Sequence, residues 1–231
     1  MLQQLNQINM IELNNVTLLA LTSIKIEETV KALRHCASLI KFADVKIVTD
    51  IEVIDDIVKW EKCEKLDYIG YSRYAVYDMW KHVDTEFVLK IDYDGLIVNA
   101  DQWDNDFLNY DYIGAPWPMP SDNFSMKDIN GNIQRVGNGG FTLRSRKIMK
   151  LASELNIPWE SFHGFYNDDG FMTVNNRHIY ETNGCKIAPI EVAAKFSHEM
   201  PIPEIQDIEP FGFHGKHSKY YQYFLHFNYF Q

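Results

Sequence analysis

Apolar and polar positions along the first part of this chain fall into two alternating periods. Residues 16–22 (VTLLALT) form a short continuous apolar run of strand length, the pattern of a strand buried on both faces. Next, Ile26, Val30, Leu33, Ala37 and Ile40 recur at helical spacing, so 26–40 is expected to be an amphipathic helix. Residues 44–50 (DVKIVTD) read as a second strand and 86–91 as a third. Between them, 72–83 reads as a helix, with Ser72 as N-cap and Val76, Met79, Trp80 and Val83 turned inward. Strand–helix–strand order implies right-handed crossovers, so the expected class is α/β with a mostly parallel central sheet flanked by helices. Ligands of open α/β sheets bind beyond the carboxyl ends of the strands. Thr22, Ser23, Asp50, Asp92 and Asp94 all fall on that edge.

The second half is less periodic. Residues 101–109 are expected to form a short helix carrying Trp103 and Phe107, 110–120 an aromatic loop, and 121–134 a polar stretch with an Asn130-Gly131 turn. A glycine-rich approach at 136–143 leads into a short strand. Ser145 caps a helix with Ile148, Leu151, Ala152 and Leu155 inside, and another helix begins near Asp168-Asp169. A strand is expected at 186–192, and the aromatic tail 220–230 is expected to fold onto the core.

The length of 231 residues suits one domain, 1–231, with a core large enough to need no disulfide or structural zinc. No repeat or linker divides it. Cys36, Cys63 and Cys185 are widely spaced, as reduced thiols are. The first residues have neither the basic nor the apolar region of a secretory signal, and no apolar run reaches the ~20 residues of a membrane span. The expectation is a cytoplasmic protein without a transmembrane segment, in which the tail offers at most a peripheral membrane contact. A net charge of −10 argues against a nucleic-acid partner. The 14% aromatic content fits either a packed core or a sugar-stacking surface.

The chemistry begins at residues 87–95 (FVLKIDYDG), an apolar run that ends in Asp-x-Asp-Gly. In a strand, Asp92 and Asp94 would share one face. Two ionised carboxylates so placed repel unless a cation lies between them. A hard divalent ion with positions open to substrate phosphates is the usual solution. The plain alternative is an acidic strand end facing a wet loop. Gly137, Gly139 and Gly140 flank Asn138, which suits close backbone approach to a ligand or a simple bulge. No Walker lysine follows, so this is not a P-loop.

The ordered series YSRY, FVLKIDYDG, FLNYDYIGAPWP, VGNGGFTLRSRK, NDDGFM, AAKFSHE and PFGFHG resembles the GT-A type of glycosyltransferase. More narrowly, over about 14–215, it is similar to a bacterial and viral family assigned to such enzymes. The resemblance implies a nucleotide-binding half (about 14–95), an acceptor half (about 96–215) and a tail (216–231). It makes Asp94 the main ligand of a divalent cation, manganese more than magnesium. Asp92 assists at the ion or the donor ribose; relatives often carry a non-acidic residue there, so the weight rests on Asp94. His214 is the third ligand, or else a capped loop histidine.

The donor, a UDP- or GDP-sugar, would meet Thr22, Ser23, Asp50, Tyr93, Asn138, Gly139 and Gly140. Arg73 either pairs with a phosphate or forms a surface ion pair with Asp78 or Glu86. Asp169 is the expected base toward the carbohydrate acceptor, with Asp168 as cap or acceptor holder; both sit at a helix start, where carboxylates also serve simply as caps. Trp117 and Trp159 stack on sugar or pack inside. The implied activity is metal-dependent transfer of a sugar to a hydroxyl acceptor, in surface polysaccharide synthesis. The alternatives are nucleotidyl transfer to a sugar phosphate and a non-catalytic sugar- or nucleotide-binding module.

Overall fold

The computed structural model describes residues 10–160 and 167–229; the expectation for the first nine residues and the last part of the tail lie outside them. Strand β1 (Ile11–Leu21) is buried along its apolar second half. Helix α1 (Ile26–Leu39) follows, starting at Lys25 in the left-handed region (φ 55°) with Glu27 and Glu28 in its first turn, where the helix dipole favours them. Its buried stripe of Ala32, Leu33 and Cys36 lies on the sheet. Strand β2 (Ile40–Thr49) runs parallel to β1, and the short strand β3 (Lys59–Lys62) runs parallel to β2. Helix α2 (Tyr68–Tyr77) leads to β4 (Phe87–Ile91), buried throughout and parallel to β1.

The remaining strands and helices are β5 (Gly95–Ile97), β6 (Tyr112–Ile113), β7 (Phe141–Ser145), α3 (Arg146–Glu154) and α4 (Asp168–Gly170). A π turn (Phe171–Asn175) extends α4, and α5 (Arg177–Thr182), α6 (Ile190–Phe196), β8 (Ser197–His198), β9 (Gly212–His214) and α7 (Tyr221–Tyr229) complete the order.

The central sheet has the order β3-β2-β1-β4-β7-β6. Its strands are parallel except β7, which runs antiparallel to both neighbours. A small second sheet has the order β5-β9-β8. From β1 the chain adds strands outward to β2 and β3, then returns to the other side of β1 for β4. That reversal is the switch point at which an open sheet leaves a crevice. Thr22 and Asp92 lie immediately past the two strands that flank it.

Phe107, Phe141, Phe196 and Phe211 contact one another with ring centroids 5.3–5.9 Å apart and tie the two sheets together. The aromatic richness of the second half is therefore largely core. Tyr220 and Phe224 are buried while Tyr223 and Leu225 stay exposed, so the described tail folds back along one face only.

Several local expectations are corrected. The helix expected at 72–83 begins at Tyr68, because Asp67 accepts the Gly70 N–H at 2.7 Å as its cap; Ser72 is buried within it. It also breaks at Asp78 into a short 3-10 turn (Met79–His82). The helix expected at 101–109 is two 3-10 turns, Ala100–Gln102 and Asn105–Asn109. The strand expected at 186–192 is a single bridge from Ile187 to Tyr112. Pro189, which has no N–H for a ladder, then opens α6. Ser145 caps α3 as expected, accepting from Ile148 N at 3.1 Å.

Candidate active site

Beyond the carboxyl ends of β1 and β4 lies a cleft of about 440 Å³, lined by Thr22, Ser23, Tyr71, Tyr93, Asp92, Asp94 and His214 among others. Strand β4 stops at Ile91, so Asp92 and Asp94 stand in a tight turn closed by Gly95 N–H to the Asp92 carbonyl (3.0 Å), not on one face of a strand. They converge for a different reason. Strand β5 starts directly after the turn and pairs antiparallel with β9, with Gly95 opposite His214. That register brings the imidazole onto both carboxylates: Nε2 is 3.3 Å from Asp94 Oδ1 and 3.9 Å from Asp92 Oδ2. On the other ring edge, Nδ1 is 3.4 Å from Glu199 Oε1. Burial opposes a charge on His214, but the surrounding carboxylates of Asp94, Glu199 and Asp92 push it up to about 10.

The glycine-rich segment packs behind Asp92 and His214; Asn138, Gly139 and Gly140 are themselves not among the cleft residues. Asp92 N–H donates to the Gly140 carbonyl at 2.8 Å, and Asn138 Oδ1 accepts Gly140 N–H at 3.1 Å. A Cβ on Gly140 would lie 2.1 Å from His214 Cδ2 and Nε2, so only glycine lets the ring lie there. Gly137 is pressed against Trp117, where a Cβ would meet the indole at 2.3 Å.

Lys90, in the middle of β4, is buried; its ammonium donates to Asp92 Oδ1 at 2.9 Å and to the Gly139 carbonyl at 2.7 Å, and sits 5.1 Å from the Tyr71 ring centre. The Tyr71 hydroxyl donates to the same Asp92 oxygen at 2.9 Å. Burial and the nearby Asp92 charge raise its pKa well above the usual phenol range, which keeps it a donor.

The Gly139 N–H donates to Asp169 Oδ2 at 3.1 Å, so the glycine segment links the Asp-x-Asp turn to α4. Burial and the charge of Asp168 push Asp169 up to about 7. Asp168 points inward to the fully buried Arg144, with Nη2 2.6 Å from Oδ2, and the guanidinium lies 5.1 Å from the Tyr112 ring centre. Its carboxylate is thus committed to an internal ion pair; the N-cap position is Asn167, and Asp169 Oδ1 accepts the first-turn Gly170 N–H at 2.7 Å.

Of the other residues singled out in the sequence, Ser23 Oγ accepts Leu66 N–H at 2.9 Å at the cleft wall. Tyr93 packs edge-on to Phe224. Asp50 follows β2, one strand farther out, and is not among the cleft residues. Arg73 is exposed in mid-helix and also lies off the cleft. Trp159 stacks on Phe171 at 5.2 Å. Sequence reasoning missed Lys90, Tyr71, Glu199 and Arg144 as members of this network. The available signal was a lysine inside an otherwise apolar strand, FVLKI.

Among the described residues, no three His, Cys, Asp or Glu side chains already stand as a ready metal cage. The donor set nevertheless suits a divalent ion: two carboxylates and an imidazole meet, and Asp94 Oδ1 is buried outside hydrogen-bonding geometry to any donor. Among the described residues, no helix is long and apolar enough to cross a membrane.

Comparison with solved structures bears on the fold. The chain is similar to the galactosyltransferase LgtC, crystallised with donor and acceptor sugar analogs, at a TM-score of 0.57 and 11% identity, over 91% of this chain and 94% of that one. It is similar to mouse xyloside xylosyltransferase 1 (TM-score 0.52, 12% identity, 89% and 98% covered). It also resembles the glycosyltransferase GlyE of Streptococcus pneumoniae TIGR4 (0.50, 12%, 92% and 60%). At such identities these likenesses show the fold, which is that of GT-A glycosyltransferases. No curated protein matches the chain in sequence. Residues 55–214 match the model of the family described as "Protein of unknown function (DUF5672)", more than half of the chain, and the chain belongs to that family.

Proposed function

We propose that this protein is a glycosyltransferase that moves a sugar from a nucleoside-diphosphate sugar to a hydroxyl acceptor with the help of a divalent cation. The observation that carries this reading is the meeting of Asp92, Asp94 and His214 at one end of the cleft that opens at the switch point of a GT-A sheet. Asp94 and His214 would hold the ion with Asp92 beside them, and the ion would supply charge for the departing diphosphate, the term that usually dominates such transfers. Residues of the first half, Thr22, Ser23, Tyr71 and Tyr93, line the cleft as a donor site requires. Asp169 is the base: a carboxylate raised to about 7 is tuned to take a proton from an acceptor hydroxyl near neutral pH. Asp168 serves it indirectly, by fixing the start of α4 on Arg144.

The test is a turnover panel of UDP- and GDP-sugars with manganese and a set of carbohydrate acceptors. The proposal expects a nucleoside diphosphate as the released product. Pyrophosphate release would mean nucleotidyl transfer, and binding without turnover would mean a sugar- or nucleotide-binding module.

A further inference from the structure

Resting on that reading, one feature of the site specifies how the ion arrives. A lysine 1% exposed is unusual, and Lys90 is held from three sides: by Asp92 Oδ1, the Gly139 carbonyl and the Tyr71 ring face. These contacts leave the ammonium no route to swing into solvent. Two donors, Lys90 Nζ and Tyr71 OH, occupy the same Asp92 oxygen, so only Oδ2 faces His214. Glu199 lies against the opposite ring edge, at Nδ1. Around the turn, the carboxylates of Asp92 and Asp94 face the Lys90 ammonium and the His214 ring; an ion that takes His214 displaces its proton, which leaves Lys90 as the cation that stays.

We infer that Lys90 is a resident counter-ion that leaves the Asp-x-Asp turn too weakly negative to capture a free divalent cation, so that the ion binds only together with the donor diphosphate. Divalent ions held by one or two carboxylates commonly draw their remaining oxygen ligands from substrate phosphates. Here the lysine offsets one of the two carboxylates, and the diphosphate brings the missing negative charge. Lys90 touches no reacting atom in this account; it is a positioning residue that sets the order and selectivity of binding. Tyr71 fixes the same oxygen without adding charge, and this separates the two effects.

The experiment measures binding of manganese alone, by the loss of the free aquo-ion paramagnetic signal, and then with UDP, GDP, CDP or dTDP present, on the full chain. Wild type is expected to take up manganese weakly alone and strongly with one nucleotide. Lys90→Gln removes the charge but keeps a donor, and should bind manganese alone at least about tenfold more tightly, the scale of one unit charge close to a divalent ion. Lys90→Met should do the same, should the glutamine variant fold poorly. Tyr71→Phe removes a hydrogen bond to the same oxygen but no charge, so its affinity for manganese alone should not rise as that of the Lys90 variants does. A purely structural lysine predicts weaker binding in every variant. Wild type binding manganese alone as tightly as with nucleotide, or Lys90 variants that gain nothing, would overturn the inference and leave the transferase reading standing. Absence of binding by any variant with any nucleotide would overturn both.

Discussion

Arg144→Leu is the substitution with the largest expected effect on the folded state. Arg144 is completely buried on β7, and its guanidinium has the 5%-exposed Asp168 at 2.6 Å, Thr142 Oγ1 at 3.1 Å and the Tyr112 ring face 5.1 Å away. Leucine restores some of the volume and none of the charge, leaving the Asp168 carboxyl in the interior without its partner. Removing one partner of such a pair costs roughly 3–5 kcal/mol. A chain of this size loses about 2–4 °C per kcal/mol, so the melting temperature should fall by roughly 6–20 °C. The assay is paired urea and thermal unfolding of wild type, Arg144→Leu and the double variant Arg144→Leu/Asp168→Asn. Neutralising the stranded carboxylate should recover more than half of the loss, since the two positions form one interaction. A loss below about 1 kcal/mol, or a double variant no more stable than the single one, would refute the reasoning that this pair anchors α4 beneath the glycine segment.

Gly140→Ala would put a Cβ 2.1 Å from the His214 ring, so the ring must move; metal-dependent nucleotide binding should be lost while the protein still folds, as titration with each nucleoside diphosphate would show. Asp169 has a folded pKa raised to about 7, above its unfolded value, so the native state binds the extra proton and this group's contribution to stability is lost as pH rises from about 4 to 7. Asp169→Asn should therefore flatten the fall in melting temperature across that window, and in wild type the transfer rate should rise through pH 7 as the base ionises; a variant with unchanged pH dependence would contradict the assignment. Phe224→Ala removes a 4%-exposed ring that meets Tyr93 at 5.9 Å and should cost roughly 3–5 kcal/mol in urea unfolding. A loss under about 1 kcal/mol would show that α7 is not firmly docked.

Strands β1, β2 and β4 were legible in the sequence because each carries an apolar run, and α1 because it carries an apolar stripe at helical spacing; β3 (KWEK), parallel to β2, was missed because it has no such run. Beyond β4, the strand after the glycine segment and the Ser145-capped helix α3 were legible, whereas β5, β6, β8 and β9 are two or three residues long, too short for any periodicity to register. The site divides in the same way. Asp92, Asp94, Asn138, Gly140, Asp169 and His214 stand out as residue types in short motifs. Glu199 and Lys90 matter only because β8 lies beside β9 and the glycine segment lies beside β4. Asp50 and Arg73 carry suitable side chains, but the strand order sets one a strand away and the register of α2 turns the other outward.

The most direct test of the central claim is a thermal-melt panel of UDP, GDP, CDP and dTDP, each with and without manganese, on wild type and Asp94→Asn. Ligand at about 100 times its dissociation constant adds ~2.7 kcal/mol, which is several degrees for a protein of this size. The account predicts a shift with one nucleotide that requires manganese and vanishes in Asp94→Asn. No shift with any nucleotide, or an equal shift in the variant, would contradict it.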